Sequence, residues 1–276
     1  MPADDVKMHL TDIDHPATVS LAQSFLWYRS LVAPLETSDP LDTRTEPTLG
    51  GQLLYAGELG SQGRALVIAG NVAGCATLAV AEDPTVQRQA IRDGVVDFVV
   101  TSLDEALRIL KNEIRKQTAV AVCVDAGVVD VEREMVERGV QPDLAYAGLR
   151  DATRDGTQSG HDWRAIQYTD PDPALTFVAW QVTQAPARWM VRLDDIVLDC
   201  LGSDWTTRRW IRLAPRFAGR NAQGLRAIYC DAQAAQRIAS GFTQAVRNGD
   251  IQAEVAMRLT APGETQTLRI SPPTND

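Results

Sequence analysis

Between Gly51 and Gly148 short apolar runs alternate with amphipathic stretches. The runs GQLLYAG, TLAVA, VVDFVV, AVAVCV and PDLAYAG predict five strands. The stretch RALVIAGNVAG, apolar all round, predicts a buried helix after the break ELGSQG. PTVQRQAIRDG predicts a helix opened by Pro84 and closed by Gly94. SLDEALRILKNEIRKQ predicts an amphipathic helix in which Ser102 caps, Glu105 completes a capping box and basic residues fill the last turns. DVEREMVERG predicts a further helix closed by Gly139. This alternation predicts an α/β unit: a Rossmann-like parallel sheet flanked by helices.

The flanks differ. From Pro16 to Leu35, apolar side chains at Val19, Leu21, Phe25, Leu26, Tyr28, Leu31, Val32 and Leu35 predict a helix with a broad apolar face. That face suits either the main domain or a second subunit, and ETSDPLDTRTEPTLGG connects it onward. LRDATRDGTQSGHDWRAIQYTDPDP has no period and reads as a long connection. Beyond it, ALTFVAWQV, GLRAIYC, AEVAMRL and QTLRIS read as strands, and three stretches between Arg188 and Gly249 read as helices. The expected organisation is a helical arm and linker over residues 1–47, a Rossmann-like domain over 48–150 and a smaller C-terminal α/β unit over 151–276.

Composition narrows the function classes. Over 276 residues, 45% hydrophobic and 23% charged, the chain can bury a core, which excludes disorder and a coiled coil. No apolar run reaches the ~18–20 residues of a membrane span, so no membrane partner is expected. A net charge of −9 disfavours nucleic acid as a partner. The N-terminus MPADDVKMHL lacks the basic and apolar regions of a signal peptide, and Cys75, Cys123, Cys200 and Cys230 form no CxxC pair. Reduced thiols and a cytoplasmic location are the expectation, with no metal site. His9, His15 and His161 lie in polar segments, and Ser61 and Ser240 have no base that can be placed beside them, so no catalytic residue is assigned. Asp194, Asp195 and Asp199, on a helical pattern with Arg192, read as a solvated charged face.

The candidate chemistry sits in the turn after the first strand. Gly57, Gly60 and Gly63 bracket Ser61 and Gln62 where a Rossmann unit brings backbone N–H groups to a phosphate. The spacing departs from G-x-G-x-x-G. Glu82 lies just past the second strand, near where an acid would meet a ribose. Two readings stay open: a site for a dinucleotide or small nucleotide-like ligand, or a tight turn with Glu82 merely starting the next helix.

GELGSQGR, VAGC (Val72–Cys75), Asp97, LDEAL (Leu103–Leu107) and RGVQPD (Arg138–Asp143) together resemble, in order and without insertion, the NAD-binding domain of the urocanase (urocanate hydratase) family. RWIRLAPRFAGRNAQGLRAIYCD and FTQAVRNGDIQAEV resemble later segments of that family. The resemblance covers about half the chain. It implies NAD acting as an electrophile in the hydration of urocanate, a step of histidine degradation, and a homodimer.

Departures from the family pattern shape the expectation. Glu58 and Arg64 replace the outer glycines of the turn, and Ser61 replaces an inner one. The ribose-binding acid falls on Ala81, with Glu82 one residue later, and AGLR (147–150) replaces another cofactor element. Glu58 would repel a pyrophosphate, with Arg64 offsetting part of the charge. Much of the family's catalytic core has no counterpart in the sequence. The expectation is a urocanase-like protein without hydratase activity by itself and with no tightly bound cofactor, acting in binding, regulation or assembly. Gly57, Gly60, Ser61, Gln62, Gly63 and Glu82 are the candidate cofactor-binding residues, for NAD if the family site survives. The alternatives are an enzyme or sensor for a nucleotide-like ligand at the Gly60–Gly63 turn, and residual NAD-dependent urocanate hydratase activity.

Overall fold

The computed structural model describes residues 16–36, 46–146, 164–219 and 222–273. The chain divides into two compact units, Gln23–Asp170 with Leu213–Arg220, and Met1–Ala22 with Pro171–Arg212 and Asn221–Asp276.

The Gln23–Asp170 unit is built on a parallel sheet. Its strands are β1 (Leu53–Glu58), β2 (Ala76–Val80), β3 (Phe98–Val100), β4 (Val120–Val124), β5 (Leu144–Tyr146) and β6 (Arg164–Ile166). The order is β3-β4-β2-β1-β5-β6, and every pairing is parallel. Five strands were expected and the sheet has six. The sixth, β6, lies in the stretch read as an irregular connection. Three residues beginning with an exposed arginine carry no readable period; pairing with β5 makes them a strand.

The helices are α1 (Pro16–Glu36), α2 (Ser61–Ala73), α3 (Pro84–Arg92), α4 (Leu103–Lys116) and α5 (Val128–Glu137). From β1 the chain moves outward through α2 and α3, then returns through α4 and α5. Right-handed crossovers place the two pairs on opposite faces. Val131 and Met135 of α5 share one core with Leu103, Ala106 and Leu110 of α4 and with Tyr55, Leu78 and Val122 of the sheet. On the other face α2 is buried without interruption from Ala65 to Ala73, which explains its lack of a polar side.

Local chemistry fixes the ends of these elements. The Asp83 carboxylate accepts the Thr85 N–H at 2.7 Å, with Pro84 opening α3. Ser102 accepts the Glu105 N–H at 3.3 Å, as an N-cap does. Two aspartates that carry the family resemblance are structural. Asp143 accepts the first N–H of β1, from Leu53, at 2.7 Å, and Asp97 accepts that of Ala121 in β4 at 2.8 Å. Each satisfies a strand donor beside a buried sheet.

Most of the apolar face of α1 is buried: Phe25, Tyr28, Leu31 and Val32 are all at most 1% exposed, while Val19 near its start is 54% exposed. Those four side chains are therefore not free to meet a second subunit. Trp27 of α1 meets Tyr146 and Tyr168 edge-on, each at 5.4 Å between ring centroids.

The second unit holds an antiparallel sheet of β7 (Thr176–Gln181), β8 (Leu225–Cys230), β9 (Val255–Ala261) and β10 (Glu264–Ile270), in the order β10-β9-β7-β8. Among the described residues the remaining helices are α6 (Pro186–Cys200), α7 (Trp205–Phe217), whose last residues from Leu213 are grouped with the first unit, and α8 (Ala232–Arg247). Trp180 packs edge-on against Phe242 at 5.8 Å. The expectation of a solvated acidic face on α6 fails at Asp194. Its carboxylate takes Nη2 of Arg226 at 2.8 Å and Nε at 3.2 Å, and the two side chains are only 15% and 9% exposed. Burial pushes the Asp194 carboxyl up to about 6, against the pull of the Arg226 charge. Arg226 also donates to the carbonyls of Ala222 and Leu225, each at 3.0 Å.

Asp194→Ala would strand the buried Arg226 charge and is expected to cost about 3–5 kcal/mol. Asp195→Ala, at an exposed neighbour, should cost under about 0.5 kcal/mol. Urea unfolding of both variants checks this; equal losses would contradict a structural pair.

Candidate functional site

β1 carries a bulge near its carboxyl end. Its register with β2 shifts between Tyr55 and Gly57, and Gly57 adopts φ +71°, a conformation that suits glycine. The ladder then resumes, with Leu59 N–H donating to Val80 O at 2.7 Å. Gly60 is the N-cap of α2, so only Leu59 and Gly60 separate strand from helix. The helix begins at Ser61, not at Arg64 as the apolar run predicts. The turn formers Ser61, Gln62 and Gly63 form its first residues. A Cβ on Gly63 would lie 2.0 Å from Glu58 O, whereas one on Gly60 would meet nothing within 4 Å. Gly63 thus permits close helix–strand packing, and Gly60 leaves open space above the first N–H groups of α2. No side chain caps that end.

The chain turns from β1 to β2 on one side and comes back to β5 on the other. Ligands bind in such sheets at the carboxyl ends of the strands where the order reverses. A cleft of about 370 Å³ lies there, between the β1–α2 turn and α5. The turn contributes Gly57, Glu58 and Gly60–Gly63; α5 contributes Val128, Val129 and Glu132; Trp27 and Tyr146 complete the wall. The buried Tyr55, which does not itself line the cleft, donates its hydroxyl to Glu132 Oε1 at 3.2 Å. Burial pushes the half-buried Glu132 carboxyl above the usual carboxylate range, and the Tyr55 hydrogen bond partly opposes this. Burial, and then the charge of Glu132, push the Tyr55 hydroxyl upward too.

Of the sequence candidates, Gly57, Gly60, Ser61, Gln62 and Gly63 line this cleft together. Glu82 does not line it. It is exposed past the end of β2, with its carboxylate facing Gly127 at the start of α5. Ala81, at the position of the family's acid, is buried. AGLR (147–150) lies outside the described residues. Arg64 does not offset Glu58: it turns away to form an ion pair with Asp93, which also accepts from Gln89 at 2.9 Å. Sequence reasoning missed Trp27, Tyr55, Glu132 and Tyr146. Only Tyr146, at the end of a predicted parallel strand, carried a readable signal; the others arrive from α1, α5 and the interior of β1.

Residues 39–148 match the family model described as the urocanase Rossmann-like domain, and residues 178–259 match that of the urocanase C-terminal domain. The chain belongs to the urocanase family. A similar curated protein is the S-methyl thiourocanate hydratase of Variovorax sp. (strain JCM 16519 / RA8), 28% identical over 152 residues. That stretch covers 54% of this chain and 28% of the relative's length.

The family's Rossmann-like domain implies NAD, and the cleft meets that requirement only in its backbone. The uncapped start of α2, with open space at Gly60, offers N–H groups and a positive helix end. The side chains oppose it. Glu58 and Glu132 both line the cleft, and no lysine or arginine does so among the described residues. These also include no cluster of three or more His, Cys, Asp or Glu able to hold a metal, and no helix long and apolar enough to cross a membrane. Cys75, Cys123 and Cys230 are buried free thiols, each pushed up to about 12 by burial.

Gly63→Ala is expected to destabilise the fold by about 3 kcal/mol, because the obstacle is backbone. Gly60→Ala should stay within about 1 kcal/mol; urea unfolding separates the two. Glu132 generates a pH prediction. Its folded carboxyl sits above the unfolded value, so the stability it confers is full below the unfolded carboxylate range and is lost as pH rises through the raised folded value. Glu132→Gln should therefore match the wild type near about pH 4 and gain on it towards about pH 8 in thermal melts. A constant offset across that range would contradict the raised carboxyl.

Proposed function

We propose that this urocanase-family chain neither retains NAD nor hydrates urocanate by itself, and acts as a binding, regulatory or assembly protein through its cleft. The observation that carries this reading is the charge of the cleft: Glu58 and Glu132 line it without a described basic partner, and Arg64 is committed to Asp93. A carboxylate about 4 Å from a pyrophosphate costs roughly 4 kcal/mol at an effective dielectric of 20, nearly a thousandfold in affinity. A homodimer in the cytoplasm remains part of the proposal, resting on the family relationship and not on α1.

A second reading has its own support. The uncapped start of α2 and the packing of Gly63 favour a phosphate-bearing ligand, NAD or another nucleotide. The name of the Variovorax relative favours hydratase chemistry on a urocanate-like substrate.

The test is to denature the purified protein, assay released NAD per chain, titrate NAD by calorimetry and follow urocanate absorbance with NAD added. Substoichiometric NAD and no turnover are expected. Replacing both carboxylates, Glu58→Gln with Glu132→Gln, should tighten NAD binding by about a hundredfold or more. Near-stoichiometric NAD in the wild type, or turnover abolished by Gly60→Val, would establish the second reading instead.

A further inference from the structure

We propose that the outer edge of β10 is a self-association surface, pairing antiparallel with β10 of a second copy of this chain. The two four-stranded sheets then join across a two-fold axis. The proposal rests on the homodimer of the preceding reading and names the surface that makes it.

The first observation is an open edge. In the order β10-β9-β7-β8, no strand follows β10 among the described residues. It runs seven residues, Glu264–Ile270, and pairs with β9 along its whole length without a register shift. Such an edge presents a row of backbone donors and acceptors, which proteins guard by shortness, lysine, proline or a bulge. The parallel sheet follows that rule: its edge strands β3 and β6 have three residues each. β10 carries no lysine, no proline and no bulge, and Glu264, Thr265, Gln266, Thr267 and Arg269 are exposed. The match to the urocanase C-terminal domain ends at residue 259, so this strand is not read from the family.

The second observation is the symmetry of the strand. Ala261 and Glu264 flank the two-residue turn Pro262–Gly263 and exchange hydrogen bonds with each other. Alternation then turns Gln266, Leu268 and Ile270 towards β9, and aims the N–H and C=O of Thr265, Thr267 and Arg269 outward. Thr267 is both the middle outward residue and the midpoint of the strand. Pairing about it sets Thr267 against its own copy and Thr265 against the partner subunit's Arg269, so every outward group is used. A register centred on Gln266 or Leu268 uses fewer. The turn at one end and Pro272 at the other bound the paired stretch.

Charge fits the same register. Glu264 falls opposite the partner subunit's Ile270, and Arg269 opposite the partner subunit's Thr265, so no like charges face each other across the seam. Thr267 beside its own copy is a favourable cross-strand pair. A two-fold pair uses each edge once, so the assembly closes as a dimer. One strand pair is a small interface, below roughly 1,200 Å², which makes the dimer transient and dependent on concentration.

The test is sedimentation velocity of the full chain from about 1 to 500 μM, with amide exchange followed by NMR. The wild type is expected to pass from monomer to dimer over that range. Exchange should slow at Thr265, Thr267 and Arg269 as concentration rises, while Gln266 and Leu268 stay protected by β9 throughout. Thr267→Lys, at an exposed residue, sets like charges across the axis and should weaken association by at least about tenfold. Thr267→Pro removes an outward donor while leaving the bonds to β9, and should weaken it by about a hundredfold. Gln244→Lys, on the exposed side of α8, is the control and should leave association unchanged. Should Thr267→Pro fail to fold, Thr267→Lys and the wild-type exchange pattern decide the matter. A dimer that Thr267→Lys leaves intact, or exchange at Thr265, Thr267 and Arg269 that ignores concentration, would overturn this proposal and leave the homodimer to another surface. A wild type that stays monomeric throughout would overturn both.

Discussion

The carbonyl oxygen of Glu58 and the α-carbon of Gly63 approach so closely that a Cβ there would sit 2.0 Å from the oxygen. That contact sets the height of α2 above β1 and confines the connection to Leu59 and Gly60. With α2 held this near, its first N–H groups open directly over the carboxyl end of β1. The same end of the sheet is where the strand order reverses, so α5 and the end of β5 face the turn across a gap. A side chain at residue 63 would push the helix outward, and the cleft would lose its floor.

The backbone of the cleft and its side chains point to different ligands. The backbone is that of a phosphate-binding turn: a bulge at Gly57, an open Gly60, an uncapped helix start. The side chains replace the positive or neutral rim with carboxylates. Arg64, the nearest cation in sequence, is drawn to Asp93, a carboxylate 7% exposed that Gln89 also holds. A buried acid binds a guanidinium more strongly than a solvated one does, because water competes less. The charge that would have balanced Glu58 instead holds α2 to the end of α3.

Other carboxylates that look alike in sequence do unlike work. Asp97 and Asp143 accept strand N–H groups, Asp194 neutralises a buried arginine, and Glu132 shares a hydrogen bond with a buried tyrosine. Family membership fixes the frame in which they sit. It does not carry over the activity of a relative of which the matching stretch covers 28% of the length.

The sequence by itself determined the alternation of β1 to β5 with α2 to α5, the helix start at Pro84, the cap at Ser102, and the family, because periodicity, caps and motif order are local properties of a chain. It also located the glycine turn. Only the tertiary structure decided which partners meet there. Trp27 comes from α1 and Glu132 from α5, and no local pattern links them to Gly60. Whether Arg64 faced Glu58 or Asp93 depended on where α3 ended in space. Whether Asp194 was solvated depended on Arg226, 32 residues away on β8. β6 escaped notice because a three-residue strand has no period of its own and exists through its pairing with β5. Pairing, burial and charge compensation are properties of neighbours in space, and the order of residues along a chain does not state who those neighbours are.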